Sequence, residues 1–225
     1  MALRAAVFDF DGVIVDSEPL HFRALHDALL ADGVTITSEE YWGIYLAYDD
    51  RAAICLALEH HEEPSPPERV TRVEQRKIAR FAELVPEVPV FEGARELVRT
   101  LAGELPLAIA SGARHEEIEA ILRGLGLRDA FRAIVGVDDV ERAKPDPLPY
   151  LEAARRLATN ASALTPAECV AFEDSPPGIA SAVEAGMRVV GVAHSYQPDK
   201  LETAHRVVGS LAGVTIEELR ALFRS

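Results

Sequence analysis

The chain has few of the residues that build disulfide frameworks, zinc sites or membrane spans. Its two cysteines, Cys55 and Cys169, are far apart and lack CxxC or His-rich spacing, so we expect neither a disulfide nor a zinc site and interpret both as small buried residues. No stretch approaches the roughly 18 apolar residues that a membrane span needs, and the N-terminus shows no secretory signal. We therefore expect a soluble, cytoplasmic protein with no membrane partner.

Positive charge is also scarce. Lys and Arg together number 23 against 37 Asp and Glu, which gives a formal net charge of −14, and lysine occurs only as Lys77, Lys144 and Lys200. Nucleic acids and anionic membranes both need a basic face, so the composition argues against them as partners. An anionic substrate would have to be met by local positive charge.

What the chain does contain is a hydrophobic fraction of 48%, ample for a core. Nearly continuous apolar runs alternate with segments that have the periodicity of amphipathic helices. The apolar runs are the one that ends at Asp9 and those at residues 105–112, 131–139, 168–174 and 188–193. This alternation predicts an α/β fold, a Rossmann-like parallel sheet with helices on both faces. The segment 144–158 is interpreted as a proline-started helix, and Ser175 as the N-cap of another.

Residues 17–85 differ, because helical periods follow one another there without strand signals. Either Asp49 or Asp50 suits the N-cap of one of these helices. The two ends of this segment are marked by Pro19 on one side and by Pro86, Pro89 and Gly93 on the other. We therefore predict an inserted all-helical cap domain, residues 17–86, within an α/β core formed by residues 1–16 and 87–225.

Polar groups follow four of the predicted strands, at the edge where ligands bind in open parallel sheets. They are Asp9 with Asp11, Ser111 with Gly112, Lys144, and Glu173 with Asp174. Carboxylates that converge repel each other by roughly 4 kcal/mol per pair at about 4 Å and an effective dielectric near 20. A divalent cation removes this conflict, and an oxygen-only ligand set with open water positions suits Mg²⁺.

These residues resemble a known family. DFDGVIVDS, the serine of IASG, Lys144 in AKPDP and FEDSPPGI are similar, in order and spacing, to the four motifs of haloacid dehalogenase superfamily phosphotransferases. The helical insert after the first motif resembles the cap of the subgroup that contains β-phosphoglucomutase and many small-metabolite phosphatases. The resemblance covers nearly the whole chain.

The resemblance implies a role for each core residue. Asp9 would be the nucleophile that forms an aspartyl phosphate, and Asp11 the acid-base. Lys144 would pair with Asp9 and a phosphoryl oxygen, while Ser111 and backbone groups near Gly112 would hold the other phosphoryl oxygens.

The same resemblance implies a Mg²⁺ site. Asp9, Asp11 and Asp174 would hold the ion, Asp11 through its backbone carbonyl, with Glu173 binding directly or through water.

In the cap, the resemblance assigns substrate contacts to His21, Arg51 and Lys77. The segment LAYDDR departs from the family pattern, which often has a glycine before the arginine. Tyr48 and Asp49 in this segment are expected to alter the pocket.

Simpler interpretations remain for each motif. Asp9 and Asp11 can end a strand and begin an Asp-Gly turn, and Ser111-Gly112 can be an ordinary strand-to-helix turn. Lys144, Arg51 and Lys77 can be solvated, His21 can be a packing residue, and Glu173 and Asp174 can serve as helix-capping acids. His60 and His61 are interpreted as surface residues.

We interpret the sequence as a Mg²⁺-dependent phosphatase of a small phosphorylated metabolite, a sugar phosphate, acting as a monomer or weak dimer. A β-phosphoglucomutase shares every core residue and remains the alternative. Asp11 and Asp174 argue against a haloalkanoic acid dehalogenase, which needs neither a second acid nor a metal. A regulatory binding protein on an inactive enzyme scaffold is the alternative from another class.

Overall fold

The protein is described from a computed structural model over residues 2–46, 48–158 and 163–224. Ala47, in the LAYDDR segment, lies outside the described residues. The chain divides into a helical unit, Ser17–Val88, and an α/β unit formed by the segments before and after it. The sequence placed the second boundary at residue 86, two residues earlier.

The α/β unit contains a six-stranded parallel sheet, which confirms the predicted fold class. The strands are β1 Ala5–Phe8, β2 Leu107–Ala110, β3 Phe131–Val135, β4 Cys169–Glu173, β5 Arg188–Val192 and β6 Arg206–Val208, in the order β3-β2-β1-β4-β5-β6. The strands β1, β2 and β4 are buried along their whole length, as parallel strands covered on both faces are. Strand β6 is not predicted from the sequence, because a three-residue, half-buried edge strand carries little periodicity.

The described part of the helical unit contains four α-helices, a π-helical turn and a 3₁₀ turn. They are α1 Glu18–Leu30, α2 Ser38–Glu40, the π-helical turn Tyr41–Tyr45, α3 Asp50–His60, α4 Pro67–Leu84 and the 3₁₀ turn Val85–Glu87. Asp49 is the N-cap of α3, and its carboxylate accepts a hydrogen bond from the Ala52 backbone N–H at 2.9 Å. Apolar side chains of α1, α3 and α4, among them Leu29, Ile54 and Val73, share one core.

In the α/β unit the described residues include five α-helices: α5 Ala94–Ala102, α6 His115–Gly124, α7 Leu148–Leu157, α8 Pro176–Glu184 and α9 Ile216–Ala221. Ser175 caps α8 as predicted, since its hydroxyl accepts from the Gly178 N–H at 3.2 Å. The predicted start of α7 at residue 144 is wrong by four residues. Pro145 and Pro147 explain the difference, because proline lacks an N–H and disfavours helical geometry in the residue before it.

The two cysteines differ in burial. Cys169 is buried in β4, but Cys55 is only half-buried on α3, so the interpretation of both as buried is wrong for Cys55. Over the described residues, no helix has both the length and the apolar character needed to cross a lipid bilayer.

The sheet order places a topological switch between β1 and β4. From β1 the chain adds β2 and β3 on one side, and then returns to add β4, β5 and β6 on the other. In open α/β sheets ligands bind beyond the carboxyl ends of the strands at such a point. Asp9 follows β1 directly, and Glu173 is the last residue of β4.

An ion-pair cluster around the Asp32 carboxylate joins α4 to the turn after α1. Asp32 is 8% exposed, and its carboxylate accepts hydrogen bonds from Arg69 Nε at 2.6 Å, Arg72 Nη2 at 2.8 Å and Arg76 Nη1 at 3.2 Å. Burial by itself would raise the pKa of Asp32, but the hydrogen bonds from Arg69 and Arg72 outweigh it and lower the pKa.

This cluster predicts a pH-dependent loss of stability in Asp32→Asn. The variant should lower the free energy of unfolding by about 2 kcal/mol at neutral pH, as expected for hydrogen bonds to a charged group. Because the folded-state pKa is lowered, the contribution is complete above the unfolded value of about 3.9 and disappears as the pH falls through the folded-state pKa. Urea unfolding at several pH values measures this, with the exposed Asp199→Asn as a control that should change stability by less than about 0.5 kcal/mol.

Candidate active site

Asp9 lies buried at the carboxyl end of β1, beside β4. Its backbone N–H donates to the Phe172 carbonyl at 2.9 Å, which continues the β1–β4 ladder by one residue. Its Oδ1 accepts from the Phe10 N–H at 2.7 Å. Pairing with a neighbouring strand, rather than a loose Asp-Gly turn, therefore fixes the position of this carboxylate.

Lys144 places a buried ammonium between two carboxylates. Its Nζ lies 2.9 Å from Asp9 Oδ1 and 2.6 Å from Glu173 Oε1, and 5.2 Å from the centre of the Tyr150 ring. Burial by itself would lower the pKa of Lys144, but attraction to Asp9 and Glu173 outweighs it and raises the pKa. The ammonium is therefore charged, and the solvated-loop alternative for Lys144 is wrong.

Glu173 is fully buried and holds Lys144 in place. Its Oε1 accepts from Lys144 and from the Tyr150 hydroxyl at 3.2 Å, and its Oε2 accepts from the Ser175 N–H at 2.9 Å and the Ser175 hydroxyl at 3.0 Å. Burial would raise the pKa of Glu173, but Lys144 and the Ser175 donors lower it. A carboxylate offers about four lone-pair positions, so these four donors fill them.

The buried acids leave an excess of negative charge. Ligand atoms of Asp9, Glu173 and Asp174 all lie within 4.8 Å of one another. Burial raises the pKa of Asp9 well above its usual range, Lys144 opposes this, and the charges of Glu173 and Asp174 raise it further. Burial also raises the pKa of Asp174, to about 6, against a hydrogen bond from Ser195. An oxygen-only set with unbalanced negative charge fits a hard divalent cation.

Two glycines make room for these acids. A Cβ at Gly178 would overlap the Glu173 carboxylate, and a Cβ at Gly12 would overlap the Asp174 carboxylate. Gly12 also has φ +77°, a left-handed conformation that favours glycine. The glycines of DFDG and SPPG are therefore required by the close approach of the acids, as well as by the turns.

The other core residues predicted from the sequence lie at the same edge of the sheet or in the turn after β1. Asp11 is half-buried, forms an isolated bridge with Val15, and its carboxylate is not one of the three clustered acids. Ser111 is buried, and its hydroxyl accepts from the Ala113 N–H at 3.1 Å. At Gly112 an added Cβ would meet no described protein atom within 4 Å, so space is open beside the backbone there.

Sequence reasoning missed three residues at this edge. The Tyr150 hydroxyl bonds Glu173, Ser195 bonds Asp174, and His194 Nδ1 lies 2.9 Å from the Gly12 carbonyl while its ring stacks on Phe91 with centroids 4.0 Å apart. His194 and Ser195 follow β5 closely, so the rule that polar groups collect after parallel strands would have found them. Tyr150 gave no such signal, since it lies in the apolar stripe of α7.

In the helical unit, His21 and Lys77 come together, with Asp50 as a partner that sequence reasoning did not find. Lys77 is buried; its Nζ lies 2.9 Å from His21 Nδ1 and 2.8 Å from Asp50 Oδ2. The His21 ring stacks on Phe81 at 4.3 Å. The solvated-face alternative is therefore wrong for Lys77.

Arg51 fits the solvated alternative. Its guanidinium is half-exposed and contacts Glu74 Oε2 at 3.0 Å and the Thr71 hydroxyl at 3.4 Å. Within the helical unit it is directed to these two residues of α4.

Gly178→Ala should disrupt the site although it replaces none of the charged residues. The added methyl forces Glu173 away and removes a partner of the Lys144 ammonium, so we expect a stability loss of about 1–3 kcal/mol and loss of catalytic activity. Thermal unfolding and turnover measure the two effects. Gly209→Ala is the control, because an added Cβ there meets nothing within 4 Å. Full activity of Gly178→Ala would contradict the role of Glu173.

Comparisons with known proteins show the family of the chain. A family model described as haloacid dehalogenase-like hydrolase matches residues 3–186. A phosphorylated carbohydrates phosphatase of Thermotoga maritima is 33% identical over 219 residues, covering 96% of both chains. Hexitol phosphatase B of Escherichia coli is 33% identical over 221 residues, again covering 96% of both.

A solved structure has a similar fold. The crystal structure of CbbY from Rhodobacter sphaeroides in complex with phosphate superposes with a TM-score of 0.77 and 28% identity, covering 94% of this chain and 96% of that one. The crystal structure of a putative β-phosphoglucomutase from Thermotoga maritima superposes with a TM-score of 0.77 and 31% identity, covering 92% of this chain and 94% of that one. These matches lead to one conclusion: the chain belongs to the haloacid dehalogenase-like hydrolases, in the β-phosphoglucomutase-like group, and hydrolyses phosphoric monoesters.

Proposed function

We propose that the protein is a Mg²⁺-dependent phosphatase of a small phosphorylated metabolite, a sugar phosphate, that works through an aspartyl phosphate on Asp9. The observation that carries the proposal is the buried Asp9 carboxylate, which Lys144 holds at the carboxyl end of β1 beside the topological switch. Two relatives of nearly the same length are named phosphorylated carbohydrates phosphatase and hexitol phosphatase B, which supports a sugar or sugar-alcohol phosphate as substrate.

In the first step, an Asp9 carboxylate oxygen attacks phosphorus and forms an acyl phosphate. The bond between phosphorus and the sugar oxygen breaks, and Asp11 donates a proton to the departing oxygen. The Lys144 ammonium, already paired with Asp9, offers positive charge to a phosphoryl oxygen. Ser111 and the open space at Gly112 suit the remaining phosphoryl oxygens.

In the second step, water attacks the same phosphorus. Asp11, now a carboxylate, takes a proton from the water, and the bond between phosphorus and the Asp9 oxygen breaks. Inorganic phosphate leaves, and both acids return to their starting protonation states. The two half-reactions therefore use Asp11 as acid and then as base.

Asp9 and Asp174 would hold the metal ion together with the backbone carbonyl of Asp11. Glu173 is less suited to direct coordination, because four donors already occupy its two oxygens. When bound, Mg²⁺ supplies charge neutralisation between the anionic nucleophile and the phosphate dianion.

We propose that residues of the helical unit select the sugar. Substrate contacts from His21, Lys77 and Arg51 stay a prediction, as do the cytoplasmic location and the monomer or weak dimer. The proximity of His21 and Lys77 supports a shared role for these two, and Asp50 is their neighbour. Arg51 has weaker support, since it contacts Glu74.

Asp9→Asn should abolish turnover, because the amide is not a nucleophile. We expect phosphate release to fall by at least about 10³-fold, while the exposed Asp199→Asn keeps wild-type activity. Thermal unfolding checks that the variant folds, since it also removes a charge partner of Lys144. Independently, hydroxylamine added to the wild-type enzyme during turnover should convert Asp9 to a hydroxamate, detected by peptide mass mapping. Modification elsewhere, or full activity of the variant, would contradict the mechanism.

A panel of sugar and nucleotide monophosphates, each with Mg²⁺ and with a chelator, tests the substrate class. We expect metal-dependent phosphate release from a few sugar or sugar-alcohol phosphates and little from nucleotides. With β-glucose 1-phosphate as the substrate, the formation of glucose 6-phosphate is measured together with phosphate release. Isomerisation with little free phosphate would replace the phosphatase proposal by a mutase.

A further inference from the structure

A second group of metal-ligating side chains lies in the helical unit, outside the site described above. Glu40 ends α2, His60 ends α3, and His61 follows it; ligand atoms of the three lie within 4.8 Å of one another. The sequence analysis interpreted both histidines as surface residues. That interpretation is wrong for His61, which is half-buried against Glu40.

The distance between His61 and Glu40 suits two ligands of one metal ion better than a hydrogen bond, and His60 lies about half an ångström farther from the same carboxylate oxygen. His61 Nε2 lies 3.3 Å from Glu40 Oε1, and His60 Nδ1 lies 3.8 Å from the same oxygen. Zinc–nitrogen and zinc–oxygen bonds of roughly 2.0–2.1 Å in a tetrahedron separate the ligand atoms by roughly 3.3 Å. His61 Nε2 is buried and has no hydrogen-bond partner among the described residues.

Neighbouring residues fix the position of the carboxylate. Glu40 belongs to a capping box in which its Oε2 accepts from the Thr37 N–H at 2.6 Å and its own N–H donates to the Thr37 hydroxyl at 3.2 Å. This leaves Oε1 directed to the two histidines. Metal sites depend on such supporting hydrogen bonds to orient their ligands.

Tyr45 positions the His60 ring through the same nitrogen that a metal ion would use. It closes the π-helical turn, a rare element that is frequent at functional sites, and its hydroxyl lies 2.9 Å from His60 Nδ1. The Tyr45 hydroxyl is within hydrogen-bond distance of this nitrogen and can donate to it. A nitrogen that accepts a hydrogen bond carries the lone pair that a metal needs.

We propose that Glu40, His60 and His61 form a binding site for a borderline divalent transition metal such as Zn²⁺, separate from the carboxylate site of the α/β unit. The ligands would be Glu40 Oε1, His60 Nδ1 and His61 Nε2, with water in the fourth position. The ion replaces the Tyr45 hydrogen bond to His60. It ties the end of α2 to the end of α3 and stabilises the helical unit.

The test uses the full chain, freed of metal and then saturated with Mg²⁺, and Zn²⁺ as the probe. Calorimetric titration should find one Zn²⁺ per chain. His61→Ala should lose this binding and Glu40→Gln should weaken it at least about 10-fold, while phosphatase activity stays unchanged in both. His26→Ala is the matched control: it also lies in the helical unit, is 30% exposed like His61, and is paired with a carboxylate, Asp27.

Two further measurements separate the site from adventitious binding. Zn²⁺ should raise the melting temperature of the wild type but not of His61→Ala, and should shift the imidazole ¹⁵N signals of His60 and His61. Tyr45→Phe should bind more tightly, since nothing then competes for His60 Nδ1. Unchanged binding in His61→Ala, or no Zn²⁺ uptake in saturating Mg²⁺, would overturn the proposal.

Discussion

The structure of the α/β unit depends on one buried ammonium. Lys144 could not remain charged away from water without close carboxylates, and Asp9 and Glu173 provide them at 2.9 Å and 2.6 Å. Those two acids belong to neighbouring strand ends, so the lysine joins β1, β4 and the segment before α7. Removing one partner of such a buried pair typically costs about 3–5 kcal/mol, which makes the arrangement a condition for stability as well as for chemistry.

The same arrangement leaves a charge imbalance that explains the chemistry. Three acids and one ammonium occupy the buried cluster, and burial with mutual repulsion raises the pKa of Asp9 and Asp174. Glu173 differs from these two, because its four hydrogen-bond donors stabilise its charge. The cluster therefore separates into an acid that holds Lys144 and two acids whose excess charge suits a divalent cation.

Lysine and arginine are used differently in this chain. Of the three lysines, Lys77 is buried beside Asp50, Lys144 is 13% exposed between Asp9 and Glu173, and Lys200 is exposed. Arginines instead form forked surface or half-buried pairs, as around Asp32. A compact ammonium fits a small buried space between two acids, whereas a planar guanidinium needs room for its fork.

The sequence by itself determined the fold class, strands β1 to β5, the Ser175 cap and the set of polar strand ends, because each follows from local periodicity or from the chemistry of one turn. Only the tertiary structure decided which groups meet. In the folded protein Glu173 bonds Lys144 and Tyr150, and Ser195 bonds Asp174. Lys77 pairs with Asp50, and Arg51 pairs with Glu74. These partners are mostly distant along the chain, and no local pattern records a contact that strand order and helix packing create.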